Sequence, residues 1–200
     1  NPKAPDAWWN VGEAYAALHN DKEAALAYER VKVFHPRSRL AAEALLTAAR
    51  FFLLAGEREN ARKALRVILQ EYPSSSAVLV ARTRLGQMYF EEGNLEQAQS
   101  ELKRVIDGDP SADARAGALL LLGTIAQATG RADQAETNYR EIITKYGSSS
   151  AVQGAHVNLG KLLAAAGKPA EALDAFSRAL SGKTLADSSF VLEALVGKAD

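Results

Sequence analysis

Three histidines, two serine triplets and a few adjacent carboxylates are the residues with which this 200-residue chain could do chemistry. His19, His35 and His156 lie far apart in the sequence. None belongs to a His-x-x-x-His pair or has a carboxylate at ligand spacing, so a metal site is not expected. Ser74-Ser75-Ser76 and Ser148-Ser149-Ser150 offer hydroxyls, but serine in such runs is better explained as turn and helix-capping chemistry than as a nucleophile. Glu91-Glu92 falls at a helix end, where solvated carboxylates are ordinary. Neither Gly-x-Gly-x-x-Gly nor Gly-x-x-x-x-Gly-Lys occurs, so no phosphate-cradling loop is present in the sequence. With no Cys, disulfide scaffolds, thiolate zinc sites and cysteine nucleophiles are excluded. No catalysis and no cofactor are expected.

The composition leaves partners open and narrows their class. Hydrophobic residues make up 48% and charged residues 24%, an ordinary balance for a chain that buries a core. Lys+Arg and Asp+Glu are equal at 24 each, so no net field favours nucleic acid or an anionic membrane. No apolar run reaches the roughly 18 residues that a membrane-spanning helix needs, and direct membrane insertion is not expected. Asn1-Pro2-Lys3-Ala4-Pro5-Asp6 has neither the basic start nor the apolar segment of a signal peptide.

The elements that would position any site come from an internal repeat of 37 residues. Gly12, Gly86, Gly123, Gly160 and Gly197 share one ladder, with Ala49 on the missing rung. Ala24, Ala61, Ala98, Ala135 and Ala172 share a second. A third holds a large apolar residue each time, at Tyr28, Leu65, Leu102, Tyr139 and Phe176. Pro36, Pro73 and Pro110 open a fourth that continues as Gly147 and Thr184. Each unit reads as two amphipathic helices. In the third unit Ala81, Leu85, Met88 and Tyr89 form one buried stripe, and Ala98, Leu102, Val105 and Ile106 form another on a helix from about Leu95 to Ile106. Gly56, Gly93, Gly130 and Gly167 mark the turn between them, where a left-handed residue can end a helix. Proline ends each early unit by removing an amide donor, and the serine triplets supply N-cap candidates for the next helix. No stretch alternates with period two, so strands are not expected. His156 occupies the rung of Trp8 and Leu119, and is expected to be packed or half-buried.

These residues resemble a known family. Trp8-x-x-Val11-Gly12-x-x-Tyr15, Ala24-x-x-x-Tyr28 and Pro36 are similar to the tetratricopeptide repeat pattern. Leu85-Gly86-x-x-Tyr89 with Ala98, Leu102 and Pro110, Leu122-Gly123 and Leu159-Gly160 repeat it; the second unit departs, with Ala48-Ala49 instead. The resemblance covers about residues 5–197. It implies an all-α, right-handed α-solenoid, a single domain over 1–200, with repeats at about 5–41, 42–78, 79–115, 116–152 and 153–189 and an extra or capping helix at 190–200. That last segment reads either as the start of a further repeat, with Phe190, Val191, Leu195 and Val196 on an apolar face, or as a terminal cap. The 37-residue period, longer than the family's usual 34, resembles repeats of bacterial cell-envelope proteins and favours a periplasmic or envelope setting over the cytoplasm.

The resemblance implies a function in binding protein. Family members hold a peptide or partner helix in a concave groove lined by the first helix of each repeat. Carried onto this register, the groove candidates are Trp9 and Glu13, then Leu46, Arg50 and Leu53, then Thr83, Gln87 and Phe90, then Leu120, Thr124 and Gln127, and last Val157 and Lys161. Some of these apolar residues could instead pack between units. Members that clamp a C-terminal carboxylate use Lys, Asn, Asn, Lys and Arg; the corresponding places here hold Trp9, Glu13, Thr47, Val80 and Arg84, so that clamp is not expected. Seven basic residues against three acidic between Arg37 and Arg66, and seven acidic against two basic between Glu91 and Asp113, place a basic stretch beside an acidic one. This fits an oriented partner, head-to-tail contact between copies, or two solvated faces. Nucleic acid is not an expected partner, because aromatics do not interleave with the basic residues. The leading expectation is a non-catalytic protein-binding scaffold; the alternative is an architectural or self-assembling spacer with possible homo-oligomers through the array ends.

Overall fold

A computed structural model describes residues 4–108 and 110–180, and among them it contains ten α-helices and no strand. They are α1 (Pro5–Ala17), α2 (Asp21–Phe34), α3 (Ala41–Leu54), α4 (Arg58–Glu71), α5 (Ala77–Glu91), α6 (Leu95–Asp107), α7 (Ala112–Ala128), α8 (Ala132–Lys145), α9 (Ala151–Ala165) and α10 (Pro169–Leu180). The expected helix at 190–200 lies outside the described residues. The chain divides into two compact units between Met88 and Tyr89, inside α5.

In the first unit α1 packs on α2, α2 on α3, and α3 on α4. The core holds Tyr28, Val31, Leu45, Phe52, Leu65, Ile68, Leu85 and Met88, all buried. In the second unit α6 packs on α7, α7 on α8, α8 on α9 and α9 on α10. One cluster there joins Leu119, Tyr139, Ile142, Leu159, Leu163 and Phe176, and a second joins Leu102, Val105 and Ile125. The alanine ladder lies inside these cores: Ala24, Ala61, Ala98, Ala135 and Ala172 are all buried, which lets neighbouring helices approach.

The glycine and aromatic ladders meet face to face. A Cβ placed on Gly12 would lie 2.8 Å from the Tyr28 ring, one on Gly123 would lie 2.5 Å from Tyr139, and one on Gly160 would lie 2.6 Å from Phe176. Where the large residue is Leu65, its partner rung is Ala49. In the first, fourth and fifth repeats the two ladders thus record one packing event, the second helix laying a ring across a bare stretch of the first.

The turn inside each repeat is a Schellman motif. Gly56, Gly93, Gly130 and Gly167 have φ of +76°, +77°, +72° and +73°. Asn94 N donates to Tyr89 O at 2.8 Å and Gly93 N to Phe90 O at 3.0 Å, with the same pair of bonds at each of the other turns. His19 takes the equivalent place in the first repeat with φ of +57°. The serine triplets differ from the capping role expected of them. Ser75 Oγ accepts from Ala77 N at 3.2 Å and Ser149 Oγ from Ala151 N at 3.1 Å, ahead of the usual N-cap geometry. Ser111 is a true cap, accepting from Ala114 N at 3.3 Å.

Contacts one repeat apart also join the loops. Tyr72 donates its hydroxyl to Pro36 O at 2.8 Å. Ser149 Oγ, Ser150 N and Ser150 Oγ all donate to Asp113 Oδ1, at 2.7, 3.0 and 3.0 Å. These bonds hold the Asp113 carboxyl below the usual carboxylate range.

Candidate functional site

The first-helix residues that come together most completely are those between α3 and α5 in the first unit. Leu46, Arg50 and Leu53 recur at four- and three-residue spacing on α3 and so share a face. Val80 and Arg84 share a face of α5 by the same rule. These two faces line a cavity of about 390 Å³, with Leu65 of α4 at its base and Thr47, Ala49 and Leu54 completing the wall. Leu65 is fully buried, whereas Leu54 and Val80 are 63% and 43% exposed. The lining is apolar apart from Thr47 and two guanidinium groups, and it contains no carboxylate. Arg50 lies over the Phe51 ring, 4.7 Å from its centroid. A cavity of this size with an apolar base and few polar groups suits a bulky side chain with part of its backbone.

Phe51 links that cavity to the first repeat. It stacks on Tyr28 with centroids 5.6 Å apart, and Trp9 meets Tyr28 edge-on at 5.1 Å. Trp9 Nε1 donates to Glu13 Oε1 at 3.1 Å. Burial foremost, then the Glu13 carboxylate, pushes the Tyr28 hydroxyl up, and Arg50 opposes that shift. Trp9, Glu13 and Arg50 therefore gather around one tyrosine, with Trp9 half-buried rather than free in solvent.

The other groove candidates are placed as follows. Thr83 turns its hydroxyl back to Leu79 O at 2.9 Å, and Gln87 is half-buried; neither lines the α3–α5 cavity. In the second unit Phe90 packs against the cluster of Leu102, Val105 and Ile125. Leu120 lies against Gly154 and the larger cluster. Gln127 Oε1 accepts the Tyr139 hydroxyl at 3.0 Å, and Thr124 donates to Leu120 O at 2.9 Å. Val157 is half-buried and Lys161 exposed. Phe90, Leu120 and Gln127 thus each make contacts inside the fold.

Sequence reasoning did not select Val80, Leu54 or Asn158 for the groove. Asn158 Nδ2 comes within 3.5 Å of Thr124 Oγ1, and together with Thr124 it draws the Tyr139 hydroxyl down against the larger upward push of burial. Stepping by the period from Leu46, Arg50 and Leu53 gives Thr83, Gln87 and Phe90, the same face of the next first helix. A cavity between two successive first helices uses opposite faces, so α5 contributes the rungs of Glu43 and Thr47 instead, which are Val80 and Arg84. The signal was present in the i, i+4 spacing of those two residues and in their place opposite the carboxylate clamp.

On α9, the first helix of the fifth repeat, His156 lines a cleft of about 510 Å³ with Arg140, Thr144, Leu159, Glu171 and Arg178, on the side of α8 and α10. It is half-buried, its Nδ1 has no partner, and burial foremost, then Arg178, lowers its pKa. The flanking arginines are engaged, Arg140 with Glu136 at 2.8 Å and Arg178 with Asp174 at 2.9 Å. Among the described residues no three of His, Asp or Glu converge as metal ligands. No described helix is long and apolar enough to cross a membrane.

Comparison with known proteins adds family and fold. A family model described as a tetratricopeptide repeat-like domain matches residues 3–159. No curated protein matches the chain in sequence. Among solved structures, MamA superposes with a TM-score of 0.67 at 23% identity, over 86% of this chain and 93% of that one. The PilF protein of Pseudomonas aeruginosa gives 0.69 at 18%, over 88% and 76%. A tetratricopeptide repeat protein from Parabacteroides merdae gives 0.71 at 18%, over 92% and 67%. At these identities the likeness is one of fold.

Proposed function

The chain belongs to the tetratricopeptide repeat-like family, and from that premise we propose that it is a non-catalytic scaffold binding a peptide or partner helix along its first helices. Folds of this kind are typical of protein–protein interaction scaffolds. The observation that carries the reading is the α3–α5 cavity, where half-exposed apolar side chains and two arginines surround a space that no side chain of the described residues fills. Apolar anchoring with arginine at the rim is the composition of binding hot spots. Affinity capture with the native chain and with a Leu53→Glu, Val80→Glu variant of equal helicity tests it. A protein held by the native chain and lost by the variant supports the cavity as a binding seat. Identical captures sink the reading.

Self-assembly is the second reading, and one observation favours it. Leu18, Val33 and Phe34, on α2 and just after α1, are 68%, 60% and 54% exposed, large apolar side chains left open to solvent in the first repeat. Sedimentation of the native chain and of Phe34→Glu over a range of concentrations decides it. Association that is lost in the variant favours an array; monomers in both cases remove that reading. The bacterial envelope setting rests on the long period alone.

A further inference from the structure

Resting on the reading of the α3–α5 cavity as a peptide seat, we propose that its occupant is an acidic-flanked apolar segment: a bulky apolar side chain in the cavity with carboxylates beside it on Arg50 and Arg84.

Two features of the cavity argue for this chemistry. The first is apolar depth, since Leu46, Ala49, Leu53, Leu65 and Val80 surround the space and leave only a side chain without polar groups well accommodated. The second is unbalanced charge. Arg50 and Arg84 are both exposed, and the lining holds no carboxylate to answer them. Among the described residues Arg84 makes no hydrogen bond or ion pair, and Arg50 lies over the Phe51 ring and near the Tyr28 hydroxyl without a carboxylate partner in an ion pair. Four arginines elsewhere on the chain are paired with a carboxylate of their own helix: Arg62 with Glu59, Arg104 with Glu101, Arg140 with Glu136 and Arg178 with Asp174. Arg50 and Arg84 instead present guanidinium forks that suit carboxylates at the rim of the cavity. A lysine-flanked segment would bring like charges together and is rejected by the same two residues.

The test uses the full chain and three short labelled peptides with one Leu-Phe core, flanked by Glu, by Gln or by Lys, in a fluorescence-anisotropy titration. The Glu peptide is expected to bind roughly tenfold tighter than the Gln peptide at low salt, with the Lys peptide weakest. Added salt should shrink that difference. In an Arg50→Gln, Arg84→Gln variant the three peptides should bind alike; both residues are exposed, so helicity and melting serve as a check that only the charge has gone. Equal binding of all three peptides to the native chain, lost in Leu53→Glu, overturns the charge preference and leaves the peptide seat standing. Absence of binding by any peptide overturns both. A preference for the Glu peptide that survives the double arginine variant places the selectivity elsewhere and overturns the assignment.

Discussion

Replacing Gly123 with alanine adds one methyl group where Tyr139 already lies. The new Cβ would stand 2.5 Å from Cε1, 2.9 Å from Cδ1 and 3.0 Å from Cζ of that ring. Carbon atoms pack at about 3.5–4.0 Å, so the ring must retreat by about 1 Å. It has little room, being fully buried among Leu119, Ile142 and Leu159. Its hydroxyl also donates to Gln127 at 3.0 Å, and a shift of that size breaks the bond. Overpacking costs about 1–3 kcal/mol, and the lost hydrogen bond about 1 kcal/mol. Alanine's helix propensity returns about 1 kcal/mol. The net is a loss of about 1–3 kcal/mol, and Gly123→Leu should lose more. Gly117 on the same helix provides the control, because a Cβ there meets nothing within 4 Å. Gly117→Ala should therefore stabilise by about 0.5–1 kcal/mol. Urea unfolding followed by circular dichroism measures both. Adding Tyr139→Leu to Gly123→Ala copies the Ala49–Leu65 pair of the second repeat, and the double-mutant cycle should show a coupling of about 1 kcal/mol or more. Equal losses from the two glycines, or additive behaviour in the cycle, would refute the packing of ring on bare backbone.

Three further outcomes are expected. His19 holds the left-handed turn that glycine holds elsewhere, so His19→Gly should raise the melting temperature through a gain of about 1 kcal/mol; an unchanged or lower value contradicts the strain. Asp113→Ala should cost about 0.5–1 kcal/mol, solvent screening keeping the figure low. Because the Ser149 hydroxyl foremost, then Ser150, depresses the Asp113 pKa, the unfolded chain protonates first. That stabilisation is present above the ordinary carboxylate range and is lost as pH falls through the depressed value. Acid unfolding of Asp113→Ala should lack this component. His156 gives a second pH window. Its lowered pKa means that the unfolded chain gains the proton first as pH falls below 6.5, so stability declines until the lowered value is passed. His156→Gln should flatten that limb in melts across the same range.

The repeat was legible because its ladders are packing contacts. Gly123 and Tyr139, or Gly160 and Phe176, recur at fixed spacing since each ring needs bare backbone beneath it. The turns were legible for a backbone reason, because Gly93 and its equivalents sit at positive φ. His19 fills that same place without looking like a turn residue. The serine triplets were misplaced by one step, since a hydroxyl such as that of Ser149 bonds the first helical amide as readily as the usual later ones. The candidate site was half legible. Leu46, Arg50 and Leu53 follow from α3 alone, but Val80 and Arg84 depend on which side of α5 is turned toward α3. Periodicity fixes equivalent positions and does not say which non-equivalent faces meet. Likewise, Phe90, Leu120 and Gln127 share the expected face yet contact their own units, because neighbouring side chains such as Tyr139 reach them.

Site-specific photocrosslinking at Leu53 tests the scaffold reading most directly. A photoreactive phenylalanine derivative at that position, in cells that make the protein, reports whatever occupies the α3–α5 cavity. Leu173 on α10, 52% exposed and outside that cavity, provides the comparison. The expected result is one distinct protein crosslinked at Leu53, absent at Leu173, and lost when Val80→Glu is added. No crosslink at Leu53, or crosslinks only to further copies of the chain, would contradict a peptide-binding cavity.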